Sequence, residues 1–259
     1  MPEGDTVWRA ARRLREGLAG QALTRSDVRV PQWATLDLSG QVVDEVLSHG
    51  KHLLIRVGEV SIHSHLKMEG VWHVHPHGTP WRRPAHMARI ILETPGKQAV
   101  GFSLGILEVL QREHDSEALG YLGPDLLGES WDLDEATRRV TADPDRPVFL
   151  ALLDQRNLAG LGNEYVNELL FVSGLLPTRP VGEVRDVRRL LALGQKMLDV
   201  NKDRTARTFT GDTRRGQERY VYGREKGRCR RCSTRLQTGS LGDTPLTARD
   251  TYWCPRCQT

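Results

Sequence analysis

The sequence predicts an α+β multidomain chain: an N-terminal antiparallel β-sandwich with a flanking helix, a helical domain, and a C-terminal zinc-finger β-hairpin. Three observations predict it. Across residues 22–110, short segments rich in β-branched and apolar residues alternate with turn signals, the spacing of a sandwich or barrel. Helix-period patterns then run through residues 134–140, 148–153, 163–172 and 184–200. Finally, Cys229-Arg230-Arg231-Cys232 and Cys254-Pro255-Arg256-Cys257 stand about twenty residues apart and use every cysteine in the chain. Each knuckle offers two sulfurs from one tight turn, and the spacer forms a hairpin between them, which is what one tetrahedral Zn2+ with four thiolates requires. A pair of disulfides is the competing reading, and the absence of a visible targeting segment or further cysteines argues against it.

With 259 residues, 38% of them hydrophobic, the chain can bury two modest cores beside a small metal-stabilised module. Formal charge is +4 and the isoelectric point about 9.0, yet Asp132, Asp134 and Glu135 gather in the middle. The positive charge is therefore placed rather than spread. It concentrates in Arg204, Arg207, Arg214, Arg215, Arg219, Arg224, Lys226, Arg228 and Arg230, and again in Arg235, Arg249 and Arg256 of the hairpin. A stiffened basic finger suits contact with phosphates, where each cation releases a condensed counterion. A mean hydropathy of −0.47 without a long apolar run argues against a membrane span, and a cytoplasmic protein with reduced thiols is expected.

In chain order, the first feature is Met1-Pro2-Glu3. Removal of Met1 would leave Pro2 with a free secondary amine. An α-amino group titrates near pKa ~8, so part of it is an unprotonated nucleophile at neutral pH. Val7, Ala10, Ala11, Leu14 and Leu18 repeat at helical spacing, predicting a helix over 6–18 with Asp5 or Thr6 as N-cap. A helix starting that early would aim the terminus. Strands are expected at 42–46, 52–57, 61–65, 70–75, 89–92, 99–102 and 107–110, with Lys51 left at the mouth of the sheet by the turn before it. His73, His75 and His77 precede Gly78 and read as a strand end rather than a second metal site. Residues 119–128, dense in Gly and Pro, mark the main break. Gly160-Leu161-Gly162 before a helix forms a tight turn whose amides can cradle an anion. A nucleotide-binding loop would need a strand in front of it, and the preceding segment reads as helix.

Together these pieces resemble the bacterial formamidopyrimidine-DNA glycosylase and endonuclease VIII family of base excision repair, over essentially the whole chain. The resemblance lies in Pro2-Glu3-Gly4, Gly50-Lys51-His52-Leu53-Leu54, His65-Leu66-Lys67-Met68 with Gly70, Leu122-Gly123-Pro124-Asp125, the run from Ala159 through Asn163 to Glu168, and the run from Ala248 through Arg249 to Gln258. It implies a sandwich domain (1–120), a hinge (121–133), a helix-two-turn-helix domain (134–223) and a zinc finger (224–259). It also implies roles. Pro2 is expected to attack C1′ and form a Schiff base, with Glu3 as general acid and base and Lys51 assisting at the flanking phosphate. His65, Asn163 and Arg249 are expected to grip the kinked backbone, and Met68 to enter the gap left by the extruded base.

The implied activity is excision of oxidised bases followed by β,δ-elimination, with damaged or abasic double-stranded DNA as partner and a monomeric enzyme. Two departures stand out. Thr6 occupies the place of the family's second acid, next to Asp5, and residues 101–108 hold no arginine to face the orphaned base, unlike the formamidopyrimidine branch. The second, with Pro2-Glu3-Gly4, leans toward the endonuclease VIII branch and oxidised pyrimidines. The alternative from another class is a non-catalytic zinc-finger protein that binds damaged or distorted DNA.

Overall fold

The computed structural model describes residues 2–259, in two compact units, Met1–Tyr121 and Leu122–Thr259. The first unit opens with α1, Gly4–Leu18, whose Val7, Ala11, Leu14 and Leu18 are buried on one stripe. The helix starts two residues earlier than the sequence led us to expect. Glu3 is extended, and its carbonyl accepts the Thr6 and Val7 N–H groups at 2.9 and 3.1 Å. Asp5 and Thr6 therefore lie inside the first turn instead of capping it. The physical reason is that Asp5 points inward: it is fully buried and accepts from Thr6 Oγ1 at 3.2 Å and Arg9 at 3.4 Å.

Strands β1 (Arg25–Val28), β2 (Val43–His49), β3 (His52–Val57), β4 (Val60–His65), β5 (Val71–Pro76), β6 (Ala88–Glu93), β7 (Lys97–Phe102) and β8 (Ile106–Gln111) follow. They form two antiparallel four-stranded sheets, ordered β1-β6-β7-β5 and β2-β3-β4-β8. One apolar cluster joins both sheets to α1, with Leu14, Ile55, Ile62, Ile90 and Leu92 wholly inside. Burying a side chain of that size contributes about 1.5–3 kcal/mol, so the sandwich holds its rim by a large margin over any single surface contact. Strand β1 escaped the sequence reading because Arg-Ser-Asp-Val buries only Val28 and pairs on one side only. A short helix, α2 (Asp115–Ala118), closes the unit, and Asp115 there is buried against Arg56 at 2.8 Å and Ser61 at 2.6 Å.

The second unit contains α3 (Leu133–Val140), α4 (Val148–Leu153), α5 (Asn163–Ser173), α6 (Val187–Lys202) and a hairpin of β9 (Gln237–Leu241) with β10 (Arg249–Trp253). Helix α5 is buried from Asn163 to Phe171, as expected of a helix packed on all sides. It ends at Gly174, whose φ of 71° is the left-handed value that favours glycine. The cysteine hairpin shares a core with that end of α5: Phe171, Val221, Cys229, Leu236 and Cys254 form one cluster. Among the described residues, no helix is long and apolar enough to cross a membrane.

Candidate functional site

Each unit carries part of the candidate set. In the first, Pro2 is half-buried and directly precedes Glu3, which is fully buried at the start of α1. The expected removal of Met1 concerns a residue outside the described ones. The stripe that anchors α1 in the core thus fixes the backbone that carries Pro2 and Glu3. Asp5, one turn in, is a second buried carboxyl that the sequence reading valued only as a cap. Its signal was the Thr6 and Arg9 neighbours that now bind it.

Lys51 sits half-buried in the two-residue connection between β2 and β3, where His49 pairs with His52. Gly50 supplies the positive φ of 57° that the first position of such a tight loop demands. His65 ends β4, opposite His52, and its Nδ1 accepts the Lys67 N–H at 2.9 Å. The neutral imidazole must then carry its proton on Nε2, which makes it a donor. Burial first, then the Lys67 and Lys51 charges, push His65 down to about 4. The turn that follows is sterically locked. A Cβ on Gly70 would meet Leu66 O at 2.4 Å, and one on Gly105 would meet Lys67 Cγ at 2.2 Å. At its tip Met68 is 67% exposed, so it is not a core residue of the strand.

Behind Lys51 and His65 runs a polar ladder absent from the sequence reading. Glu108, as a carboxylate, can only accept, so His63 Nδ1 donates to it at 3.2 Å. His63 Nε2 then accepts from His52 Nδ1 at 2.8 Å, and His52 Nε2 accepts from the Tyr121 hydroxyl at 3.2 Å. The His52 ring also meets His65 edge to face, centroids 4.9 Å apart. Burial, then His65 and His63, lower His52 to about 3, so it stays neutral and keeps the ladder directed toward Glu108. Alternation along β3 and β4 could have put His52, His63 and His65 on one face; what sequence lacked was their register.

In the second unit, Gly162 precedes Asn163, the first residue of α5. Asn163 is buried, and Asn167 Nδ2 donates to its side-chain oxygen at 3.1 Å and to its carbonyl at 2.8 Å. Asn167 also reaches β10, donating to Asp250 O at 3.3 Å and accepting the Tyr252 N–H at 2.6 Å. One buried amide therefore ties the start of α5 to the strand that begins with Arg249. Arg249 itself is exposed and folds its guanidinium onto Thr247 O and Ala248 O at 3.2 and 2.9 Å. In the same first turn of α5 Glu164, buried, takes Arg207 and Arg219 at 2.7 Å each. Glu168 accepts the N–H groups of Tyr220, Val221 and Tyr222 at 2.8 Å each, while burial raises it to about 7. The segment around 205–223 is thus fastened to α5 by two buried acids.

The ligating sulfurs of Cys229, Cys232, Cys254 and Cys257 all lie within 4.8 Å of one another, and the cluster could hold a metal ion. Two of the separations are 3.8 Å, for Cys229 to Cys257, and 3.4 Å, for Cys232 to Cys254. Tetrahedral bonds of about 2.3 Å put sulfurs about 3.8 Å apart, so the cage has the size for zinc. Burial, followed by the neighbouring sulfurs, pushes Cys257 up to about 12: four thiolates this close need a cation. Gln258 locks the second knuckle, accepting the Cys254 N–H and donating to Leu175 O, both at 2.8 Å.

Comparison with known proteins agrees with this arrangement. A profile for the formamidopyrimidine-DNA glycosylase N-terminal domain matches residues 1–103, and one for the formamidopyrimidine-DNA glycosylase H2TH domain matches residues 122–203. The chain is 56% identical over 260 residues to the DNA-(apurinic or apyrimidinic site) lyase Nei2 of Mycolicibacterium smegmatis, covering 100% of this chain and 99% of that one. It is 52% identical over 262 residues to Endonuclease 8 2 of Mycobacterium tuberculosis, covering 100% of both. In fold it is similar to the Lactococcus lactis Fpg solved with an abasic site containing DNA, with a TM-score of 0.81, 22% identity and full coverage of both chains.

Proposed function

The chain belongs to the formamidopyrimidine-DNA glycosylase and endonuclease VIII family, and from that premise we propose that it is a bifunctional DNA glycosylase and abasic-site lyase acting on oxidised bases, mainly pyrimidines, in double-stranded DNA. The observation that carries this reading is a buried carboxyl, Glu3, set immediately behind the half-buried Pro2 by a helix anchored in the core. A protein that only bound DNA would gain nothing from a buried acid beside a terminal imino acid.

In the reaction, the unprotonated Pro2 nitrogen attacks C1′ as the C1′–base bond breaks. The base leaves with the bonding pair and takes up the proton that the Pro2 nitrogen gives up; Glu3 protonates the sugar ring oxygen, the C1′–O4′ bond breaks, and a Pro2 iminium at C1′ remains. Loss of a C2′ proton expels the 3′-phosphate, and a second elimination expels the 5′-phosphate. Successive proton transfers run in opposite directions, which suits one carboxyl acting first as acid and then as base. Lys51 and the Nε2–H of His65 serve as donors to a phosphate flanking the lesion, as do Asn163 at its helix start and Arg249. Met68, exposed on a locked turn, fills the space a flipped base vacates. The cysteine cage holds one structural Zn2+, which fixes the hairpin carrying Arg249 and takes no part in bond breaking.

The test is a strand-nicking assay on duplexes carrying an oxidised pyrimidine, an oxidised purine or an abasic site. The expected outcome is cleavage at the oxidised pyrimidine and the abasic site, leaving phosphate on both flanking ends. Tight binding of the same duplexes without any nicking would instead support a non-catalytic damage binder.

A further inference from the structure

The sheet order β1-β6-β7-β5 leaves β5 as an edge strand. Among the described residues, the backbone of residues 71–75 is hydrogen-bonded to β7 alone. Such an edge is normally blunted by charge on the strand, by proline or by a covering element, because it templates the addition of another strand; of these, β5 has a proline only at its last position, Pro76. Here a cleft of about 340 Å³ runs along it instead, lined by every residue from 71 to 75, by Arg13 of α1 and by Thr79 and Arg82 of the next loop.

One wall of the cleft is set by close packing. Gly17 lets α1 press onto β5, since a Cβ there would stand 2.7 Å from Val74 Cγ1. Arg13, one turn earlier on the same helix face, is thereby set beside the strand. No carboxylate lines the cleft, and neither Arg13 nor Arg82 has an ion-pair partner among the described residues. Burial first, then Arg83, His75, Arg82 and Arg13, hold His73 below its ordinary value. His75 Nε2 is buried and has no hydrogen-bond partner, while its Nδ1 faces Pro76 O at 3.2 Å.

We propose that this edge is a docking site for an extended acidic segment of a partner protein, which adds as a strand beside β5 and sets its carboxylates on Arg13 and Arg82. Nucleic acid is the poorer fit. A strand edge presents both N–H and C=O groups, and a phosphodiester backbone offers acceptors only, whereas a peptide backbone satisfies both and alternates its side chains toward the flanking cations. The inference is independent of the catalytic reading, because none of these residues belongs to the proposed chemistry.

The probe is a fluorescein-labelled octapeptide alternating aspartate and valine, titrated by anisotropy into the purified full chain. Saturable, salt-sensitive binding is expected, accompanied by slowed amide hydrogen exchange in residues 71–75. The same peptide N-methylated at alternate residues, and the Arg13→Glu/Arg82→Glu variant, should each lose about tenfold or more in affinity, roughly 1.4 kcal/mol or more. The variant should keep its melting midpoint and its affinity for abasic duplex. The proposal is overturned by an absence of binding, by equal binding of the N-methylated peptide, by unchanged exchange at 71–75 in the wild-type chain, or by a charge reversal that weakens duplex binding in place of peptide binding.

Discussion

The two units hold their candidate side chains by opposite means. In the first, Pro2, Lys51, His65 and Met68 sit at a terminus, in turns or at a strand end. Their positions follow from the apolar core below and from turns that only glycine permits, as at Gly50 and Gly70. In the second, Asn163, the strand that follows Arg249 and the cysteines lie in a frame of buried polar cross-links: Asn167, Glu164, Glu168, Gln258 and the sulfur cage itself. Apolar packing tolerates the loss of one methyl group gradually. A buried polar network does not, because deleting one partner orphans the others. The second unit should therefore be the more brittle half, and the first the half whose defects are chemical rather than structural.

The sharpest way to break that comparison is at Glu3. Glu3→Gln should lower single-turnover excision by about 10²–10⁴-fold while abasic duplex is still bound normally; equal losses in binding and turnover would mean the residue is structural after all. Next comes the metal cage. Chelation, or Cys254→Ser, should abolish the calorimetric transition of the second unit and with it duplex binding, while the circular dichroism of the β-rich unit persists. A single transition lost as a whole would show that the two halves do not respond separately.

Asn167→Ala is the test of brittleness, since it removes one amide and orphans groups on α5 and β10. A cost of about 1–3 kcal/mol is expected in chemical denaturation, together with weaker binding to all duplexes alike. A shift in lesion preference at unchanged stability would contradict a purely positioning role. In the first unit the corresponding probe is pH. His52 and His65 take up protons in the unfolded chain near 6.5, but in the fold only near 3 and 4. Protons are then bound preferentially by the unfolded state, so stability should fall as pH drops from 6.5 toward 4, and His52→Gln should flatten that slope in denaturant midpoints. The smallest effect is expected at Arg249, exposed and held only by its own turn. Arg249→Ala should reduce the salt slope of binding by about 1 without changing which duplex is preferred.

The same contrast explains what the sequence could disclose. Helix α1 and seven of the strands β1–β8 were legible because their apolar periods match the core they bury, and the cysteine pairs were legible because spacing alone fixes a tetrahedral cage. Strand β1 was not, since a polar edge strand carries no period. The start of α1 was misplaced because a buried Asp5 looks like a cap until its burial is known. The ladder from Tyr121 to Glu108 and the bridge made by Asn167 depend on register and on contacts between residues 45 to 85 positions apart, as in His63 with Glu108 and Asn167 with Tyr252. No local pattern encodes such pairs.

The central claim is that the nucleophile is the imino nitrogen of Pro2, and borohydride trapping on an abasic duplex tests it most directly. Reduction of the iminium should give a covalent protein–DNA adduct that proteolysis maps to residue 2 with the native chain and with Lys51→Ala, and a weaker one, also at residue 2, with Pro2→Gly, whose terminal amine is primary. Trapping that survives Pro2→Gly but disappears with Lys51→Ala would place the nucleophile on the lysine, and no adduct in any of them would leave the protein without the proposed lyase chemistry.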